Sequence, residues 1–138
     1  MHKLFFCFCL AALVTNTAWS KDTSITRTEV LLKTAASWDG DALPAYPEGQ
    51  PEITILRITI PPHTQLPMHK HPVINAGILL KGELTVMTEG KQTLKLKSGD
   101  LIAELVNKWH YGKNEGDVPA EIMVFYAGIK DGAITVKK

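Results

Sequence analysis

The sequence predicts an all-β barrel or sandwich. Short runs rich in β-branched residues recur through most of the chain, and turn signals containing Gly or Pro separate them. Their spacing is typical of a β-sandwich or a small barrel, and no segment keeps a helical period. A length of 138 residues is that of one domain. We therefore expect one all-β domain of about nine or ten short strands.

Residues 1–20 are expected to be a signal peptide. A short basic start is followed by an apolar run over 4–14, and Ala18 and Ser20 have the spacing of a cleavage site. The run is too short to span a bilayer of about 30 Å. Cleavage after Ser20 would remove both cysteines and leave no stable membrane anchor, whereas an uncleaved N-terminal anchor is the alternative. We expect export, to the periplasm of a Gram-negative cell and otherwise into the medium.

Residues 21–50 are predicted to form an N-terminal strand and a Pro- and Gly-rich loop packed on the barrel. The run 29–33 has the composition of a short first strand. Three prolines and two glycines between positions 37 and 51 exclude a regular helix or a central strand there. Trp38 and Tyr46 are expected to pack on the barrel as plugs.

The barrel itself is assigned to residues 51–138. Its clearest strand is 52–60, which is β-branched and alternating, and the following prolines end it. The formal net charge is +1 and there is no basic run with interleaved aromatic residues, so nucleic acid is not an expected partner. The remaining predicted strands are 74–81, 83–88, 91–97, 101–106, 109–113, 120–127 and 133–136.

The residues with the clearest chemistry are His69 and His71. Side chains two apart on an extended strand lie on the same side, so these imidazoles form half of a possible metal site. The best candidate for a further ligand is His110. Imidazole binds several divalent transition metals, and the sequence does not distinguish Fe, Mn, Ni, Cu or Zn.

The two histidine-containing stretches resemble the two motifs of the cupin superfamily. The first motif is Gly, five residues, His-x-His, three or four residues, Glu, six residues, Gly. The second is Gly, five residues, Pro-x-Gly, two residues, His, three residues, Asn. The first falls on His63, His69, His71, Asn75 and Gly82, and the second on Gly99, Leu105, Asn107, His110 and Asn114. The resemblance implies a single-domain cupin, a double-stranded β-helix or jelly-roll barrel, with one metal ion held by the three histidines.

The departures from these motifs concern both the metal and the turns. Asn75 stands where the first motif has glutamate, so the site lacks that carboxylate. Three histidines alone leave about three positions open in an octahedral ion or one in a tetrahedral ion, and some cupin dioxygenases resemble this arrangement. His63 and Asn107 stand at motif glycines, and Asn tolerates left-handed backbone angles. His63 is interpreted as a turn residue at the rim.

Further residues are expected to support the ligands or to line a substrate pocket. Asn75 is expected to hydrogen-bond a neighbour, or to touch a metal-bound water or substrate. The other candidates for this role are Gln65, Trp109 and Tyr126. Met123 and Phe125 are further candidates for the pocket, with barrel core as the alternative. One of Glu52, Gln65, Glu104 and Glu121 could transfer protons inside the barrel.

The leading functional hypothesis is metal-dependent catalysis on a small organic molecule. Dioxygenase chemistry is the first expectation and isomerase chemistry the second, although a fold does not determine a function. The main alternative is an exported module that binds a small ligand or a metal without turnover. The resemblance also implies a possible homodimer.

Overall fold

The computed structural model describes residues 25–138, and these form two antiparallel sheets packed face to face. The ten strands are β1 (Pro51–Ile60), β2 (Thr64–Gln65), β3 (His69–Lys70), β4 (Ile74–Lys81), β5 (Glu83–Thr88), β6 (Thr93–Lys97), β7 (Leu101–Ala103), β8 (His110–Asn114), β9 (Ala120–Ile129) and β10 (Val136–Lys137). One sheet has the order β1-β9-β4-β7. The other has the order β10-β3-β8-β5-β6, with β2 also paired to β8. The predicted all-β fold class is confirmed.

Inward-facing and outward-facing side chains alternate along β1 and β9, and the inward-facing ones form one wall of the interior. The two strands pair over their whole lengths, from Pro51 opposite Ile129 to Ile60 opposite Ala120. Ile53 and Ile55 face outward and are 67% and 55% exposed. The inward-facing apolar residues of this wall are Leu56, Ile58, Ile60, Ile122 and Val124. Apolar burial of this kind is the main favourable contribution to folding.

The positions at which the two resembled motifs have glycine all have left-handed backbone angles here. The φ angles are 55° at His63, 57° at Asn107, 73° at Gly82 and 94° at Gly99. Residues other than glycine adopt this region at some cost, which is smallest for Asn. His63 is exposed and its Nε2 lies 3.1 Å from an Asp117 carboxylate oxygen. Both turns are therefore formed without the motif glycine.

The N-terminal part differs from the prediction. The strand predicted at 29–33 is wrong, because residues 26–34 form no strand, and Val30 and Leu31 are 73% and 63% exposed. A strand needs a partner edge, which local composition does not reveal. Trp38 packs against the core as predicted. Tyr46 is 75% exposed, so its predicted packing on the barrel is wrong. The predicted signal peptide lies outside the described residues.

An ion-pair cluster ties this loop to the barrel close to β8. The Lys108 ammonium contacts the carboxylates of Asp39 and Asp41, and the Asp39 side chain is 1% exposed. The backbone N–H of Trp38 donates to the Ala103 carbonyl oxygen at 3.0 Å. The loop is therefore held against the end of β7 and the segment that leads to His110.

Three predicted strands are shorter in the structure. The strand predicted at 91–97 begins at Thr93, and the strand predicted at 101–106 ends at Ala103. In place of the strand predicted at 133–136, the structure has the two-residue strand Val136–Lys137. Among residues 25–138, no helix has the length and apolar character needed to cross a membrane.

Candidate metal centre

Three imidazoles meet at the inner wall of the second sheet. His69 on β3 is the cross-strand partner of His110 on β8, and His71 follows two residues later on the same side. One ring nitrogen of each histidine lies within 4.8 Å of the others, and the ring centroids are 4.6–5.1 Å apart. His71 and His110 are buried. The structure therefore brings the three predicted ligands together.

Backbone carbonyls fix which ring nitrogen each histidine offers. Nδ1 of His69 lies 2.7 Å from the Pro67 oxygen, and Nδ1 of His110 lies 2.8 Å from the Lys108 oxygen. Nδ1 of His71 lies 2.9 Å from the Ile134 oxygen. A carbonyl accepts only from N–H, so each Nδ1 carries the proton and each Nε2 keeps a lone pair. This tautomer is the one required for metal binding through Nε2.

Burial keeps two of these imidazoles neutral. It lowers the pKa of His71 to about 4, and the nearby His110 and His69 rings act in the same direction. Burial likewise lowers the pKa of His110 to about 4. Neutral imidazole is the ligand form. The buried Nε2 of His110 has no hydrogen-bond partner, which fits a metal ion because such a group otherwise carries an uncompensated desolvation cost.

The imidazoles open onto a cavity of about 310 Å³ between the two sheets. Its aliphatic lining comes from both sheets and consists of Leu56, Ile58, Ile60, Leu66, Leu84, Val86, Ile122 and Val124. The polar residues that line the cavity beside the histidines are Glu104, Tyr126, Thr135 and Lys137. A mostly apolar cavity with a few convergent polar groups is typical of a small-molecule site.

Tyr126, Asn75 and Glu104 form one row across the first sheet. Asn75 on β4 is the cross-strand partner of Tyr126 on β9. The backbone carbonyl oxygen of Asn75 accepts a hydrogen bond from the backbone N–H of Glu104 at 3.0 Å. Asn75 is buried: its Nδ2 donates to the Val73 oxygen at 3.1 Å, and its Oδ1 has no partner. Burial and the nearby Glu104 raise the pKa of Tyr126 to about 12, so its hydroxyl stays protonated.

The structure places Gln65 and Trp109 away from this cavity. Gln65 is exposed on β2, and the next residue, Leu66, lines the cavity instead. Trp109 lies one residue before His110 and therefore faces the other side, where the Lys70 ammonium lies 5.1 Å from its ring centroid. On β9 the inward residues are even-numbered, so Tyr126 lines the cavity, whereas Phe125 is 43% exposed. Met123 does not line it either.

Sequence analysis missed the residues that hold the His71 ring. The Ile134 oxygen and the Thr135 hydroxyl, at 2.9 and 3.2 Å from Nδ1, come from a segment more than 60 residues away. Composition gives no signal for such a contact. Glu104 was one of four candidates for a polar group inside the barrel. Alternation could not single it out, because Ala103 and Leu105 beside it are buried as well.

Comparison with known families matches residues 56–126 to the Cupin domain. The match covers just over half of the chain. The chain belongs to the cupin family. Among curated proteins, no significant match was found.

Solved structures similar to this cupin share its fold. The DMSP lyase DddQ from Ruegeria pomeroyi is 23% identical with a TM-score of 0.55, over 62% of this chain and 43% of that one. An oxalate oxidase in complex with glycolate is 22% identical with a TM-score of 0.52, over 62% and 45%. Lactobacillus farciminis oxalate decarboxylase is 19% identical with a TM-score of 0.54, over 62% and 26%. This cupin spans less than half the length of each.

Proposed function

We propose that this cupin is a metal-dependent enzyme that acts on a small organic molecule. One divalent transition metal ion would be held by Nε2 of His69, His71 and His110. The observation that carries the proposal is the convergence of three imidazoles, each fixed through Nδ1 by a carbonyl, at the wall of a cavity. Preset ring tautomers are what a metal site needs and a hydrophobic core does not.

The chemistry of the bound ion would be Lewis-acid activation or the joint binding of dioxygen and substrate. The protein supplies the surroundings for it. The aliphatic walls lower the local dielectric constant, which strengthens electrostatic interactions inside the cavity. The Tyr126 hydroxyl stays protonated over the usual pH range and is a hydrogen-bond donor for an anionic or carbonyl oxygen of the substrate.

The size of the cavity limits the substrate. A volume of about 310 Å³ equals the liquid volume of about ten water molecules, at about 30 Å³ each. The substrate would therefore have on the order of ten non-hydrogen atoms or fewer. The structures similar in fold include enzymes named for DMSP and oxalate, which are molecules of this class. Dioxygenase chemistry is the reaction type we propose first and isomerase chemistry the second.

A binding module without turnover is the second candidate. The predominantly aliphatic lining favours it, because apolar capture of a ligand needs no reacting groups. Ligand-dependent stabilisation without any product would support this candidate over the enzyme.

Elemental analysis of the purified protein is the first test. We expect about one equivalent of metal per chain, located at the three imidazoles by anomalous diffraction. His110→Ala should lose the metal. His63→Ala is the matched control, since His63 is exposed and lies outside the cluster. Absence of bound metal under metal-replete conditions, or equal loss from both variants, would refute the proposal.

We also propose that the chain is exported and forms a homodimer. The signal-like character of residues 1–20 supports export. N-terminal sequencing of protein recovered from the periplasm or the medium should begin at Lys21. Intact Met1 in that protein would contradict cleavage, and retention of the protein in the cytoplasm would contradict export. Light scattering should give twice the mass of the mature chain, and a monomer mass would contradict the dimer.

A further inference from the structure

We infer that the Glu104 carboxylate is a fourth protein ligand of the ion, supplied from the segment after β7. Glu104 lines the same cavity as the three imidazoles, and its Oε2 lies 3.8 Å from Nε2 of His110. This inference rests on the proposed metal function and deepens it.

The first argument is that two buried atoms face each other without partners. Both Oε2 of Glu104 and Nε2 of His110 lack a hydrogen-bond partner, and the side chains are only 9% and 2% exposed. Nδ1 of His110 carries the ring proton, because it is bonded to the Lys108 oxygen, so Nε2 presents a lone pair to the carboxylate. The carboxylate and the imidazole lone pair repel at this distance unless the carboxyl group is protonated or a cation lies between them. A metal ion satisfies both atoms at once.

The second argument is the distance itself. Donor atoms at about 2.1 Å from one ion are separated by about 3.0 Å when adjacent and by about 4.2 Å when opposite. The observed 3.8 Å lies between these limits. The carboxylate lies beside His110 but outside the group of three ring nitrogens that are within 4.8 Å of one another, so ligation requires the Glu104 side chain to rotate toward the ion.

The third argument is the position of Glu104 relative to Asn75. On the antiparallel pair β4–β7, Ala76 lies opposite Ala103, and the next pair outward is Asn75 with Glu104, joined by a backbone hydrogen bond. Directly opposite residues share one face of a sheet. The carboxylate missing at Asn75 is therefore present one strand away, at the same level of the barrel.

A carboxylate ligand changes what the site can hold. Three nitrogen donors and one oxygen donor leave about two open positions in an octahedral ion. The negative charge also favours ions that prefer oxygen ligands, such as Mn²⁺, over those satisfied by imidazole alone. Loss of the carboxylate should therefore weaken Mn²⁺ binding more than Zn²⁺ binding.

The test compares metal affinities of the metal-free full-length protein with those of single variants, using Mn²⁺ and Zn²⁺ in competition with a chromophoric chelator. Glu104→Gln keeps the size of the side chain and removes its charge. It should weaken Mn²⁺ binding by at least about 10- to 100-fold, with a smaller change for Zn²⁺. Glu121→Gln is the matched control, because that carboxylate is paired with Arg57 on the outer face. It should change neither affinity.

Infrared difference spectra of the wild-type protein give a readout that needs no variant. Addition of Mn²⁺ should shift carboxylate stretching bands. Unchanged affinity of Glu104→Gln for both ions, or an unchanged carboxylate region, would overturn the inference. If His110→Ala still abolishes binding in that case, the proposed metal function stands without Glu104. If the wild-type protein binds neither ion, the proposed function fails as well.

Discussion

The side chain of Asn114 offers the sharpest stability prediction. It is fully buried at the end of β8, and its Nδ2 lies 3.0, 3.1 and 2.8 Å from the oxygens of Ile60, Pro61 and Val118. Its Oδ1 accepts from the Gly116 N–H at 3.0 Å. One amide therefore joins the end of β1, the end of β8 and the loop that leads to β9.

Asn114→Ala removes all of these hydrogen bonds. The amide has two hydrogens for three acceptors, so three to four bonds are lost at a net of about 1 kcal/mol each. We expect the free energy of unfolding to fall by about 3–4 kcal/mol. The assay is urea unfolding of metal-free protein, monitored by circular dichroism and fitted by linear extrapolation.

Two further variants control the Asn114 experiment. Asn114→Asp keeps the acceptor for Gly116 but loses both donors and places a carboxylate against three carbonyls, so it should cost at least as much. Gln65→Ala removes an exposed amide and should change stability by less than about 0.5 kcal/mol. A loss below about 1 kcal/mol for Asn114→Ala would refute the assignment of Asn114 as a structural clamp.

Other predictions concern pH, metal and packing. Burial lowers the pKa of His71 and His110 to about 4 from 6.5, so acidification through this window protonates the unfolded chain first and destabilises the metal-free fold. Burial raises the pKa of Glu104 from 4.5 to about 7, which acts in the opposite direction. The destabilisation from two imidazoles exceeds the stabilisation from one carboxyl group, so we expect the free energy of unfolding to fall from pH 6.5 to 4.5. The fall should be steeper in Glu104→Gln, and urea unfolding at each pH measures both. Free Zn²⁺ at 100 times its dissociation constant should stabilise the wild-type protein by about 2.7 kcal/mol. It should not stabilise His110→Ala, and a thermal-shift assay compares the two proteins. Gly77→Ala would place a Cβ 2.9 Å from the Met123 oxygen and should cost about 1–3 kcal/mol by urea unfolding.

Each of these three predictions has an outcome that contradicts it. In metal-free Glu104→Gln, which lacks the opposing carboxyl group, a stability that rises on acidification from pH 6.5 to 4.5 would contradict neutral imidazoles in the folded chain. Equal stabilisation of wild type and His110→Ala by Zn²⁺ would place the ion elsewhere. For the packing prediction, Gly90→Ala is the control, since only the Thr88 hydroxyl comes within 4 Å of its new Cβ, at 3.7 Å. Equal stability of the Gly77 and Gly90 variants would contradict the predicted clash.

The imidazole cluster could be predicted from one short-range rule and one resemblance. Residues two apart on a strand share a side, which places His69 with His71. The two resembled motifs then supply His110, whose approach the backbone pairing with His69 explains. The turns at His63 and Asn107 could likewise be predicted from the motifs, because both residues have left-handed backbone angles although neither is glycine.

The remaining parts of the site depend on information that local sequence does not contain. Trp109 and Gln65 are each one residue away from an inward-facing position, and a one-residue shift reverses the face of a strand residue. Glu104 follows a strand that is buried on both faces, where alternation is uninformative. The strand predicted at 29–33 had suitable composition but no edge to pair with.

The support of His71 by the segment just before β10 has a consequence for damage to the centre and for peptide mimics of it. The ring is held by the Ile134 oxygen and the Thr135 hydroxyl, next to a strand pair in which Val136 lies opposite Lys70. Proteolytic nicking before Ile134 would leave every ligand residue intact yet allow this ring to flip and offer its other nitrogen. A short peptide carrying the His-x-His sequence should therefore bind metal far more weakly than the closed barrel does.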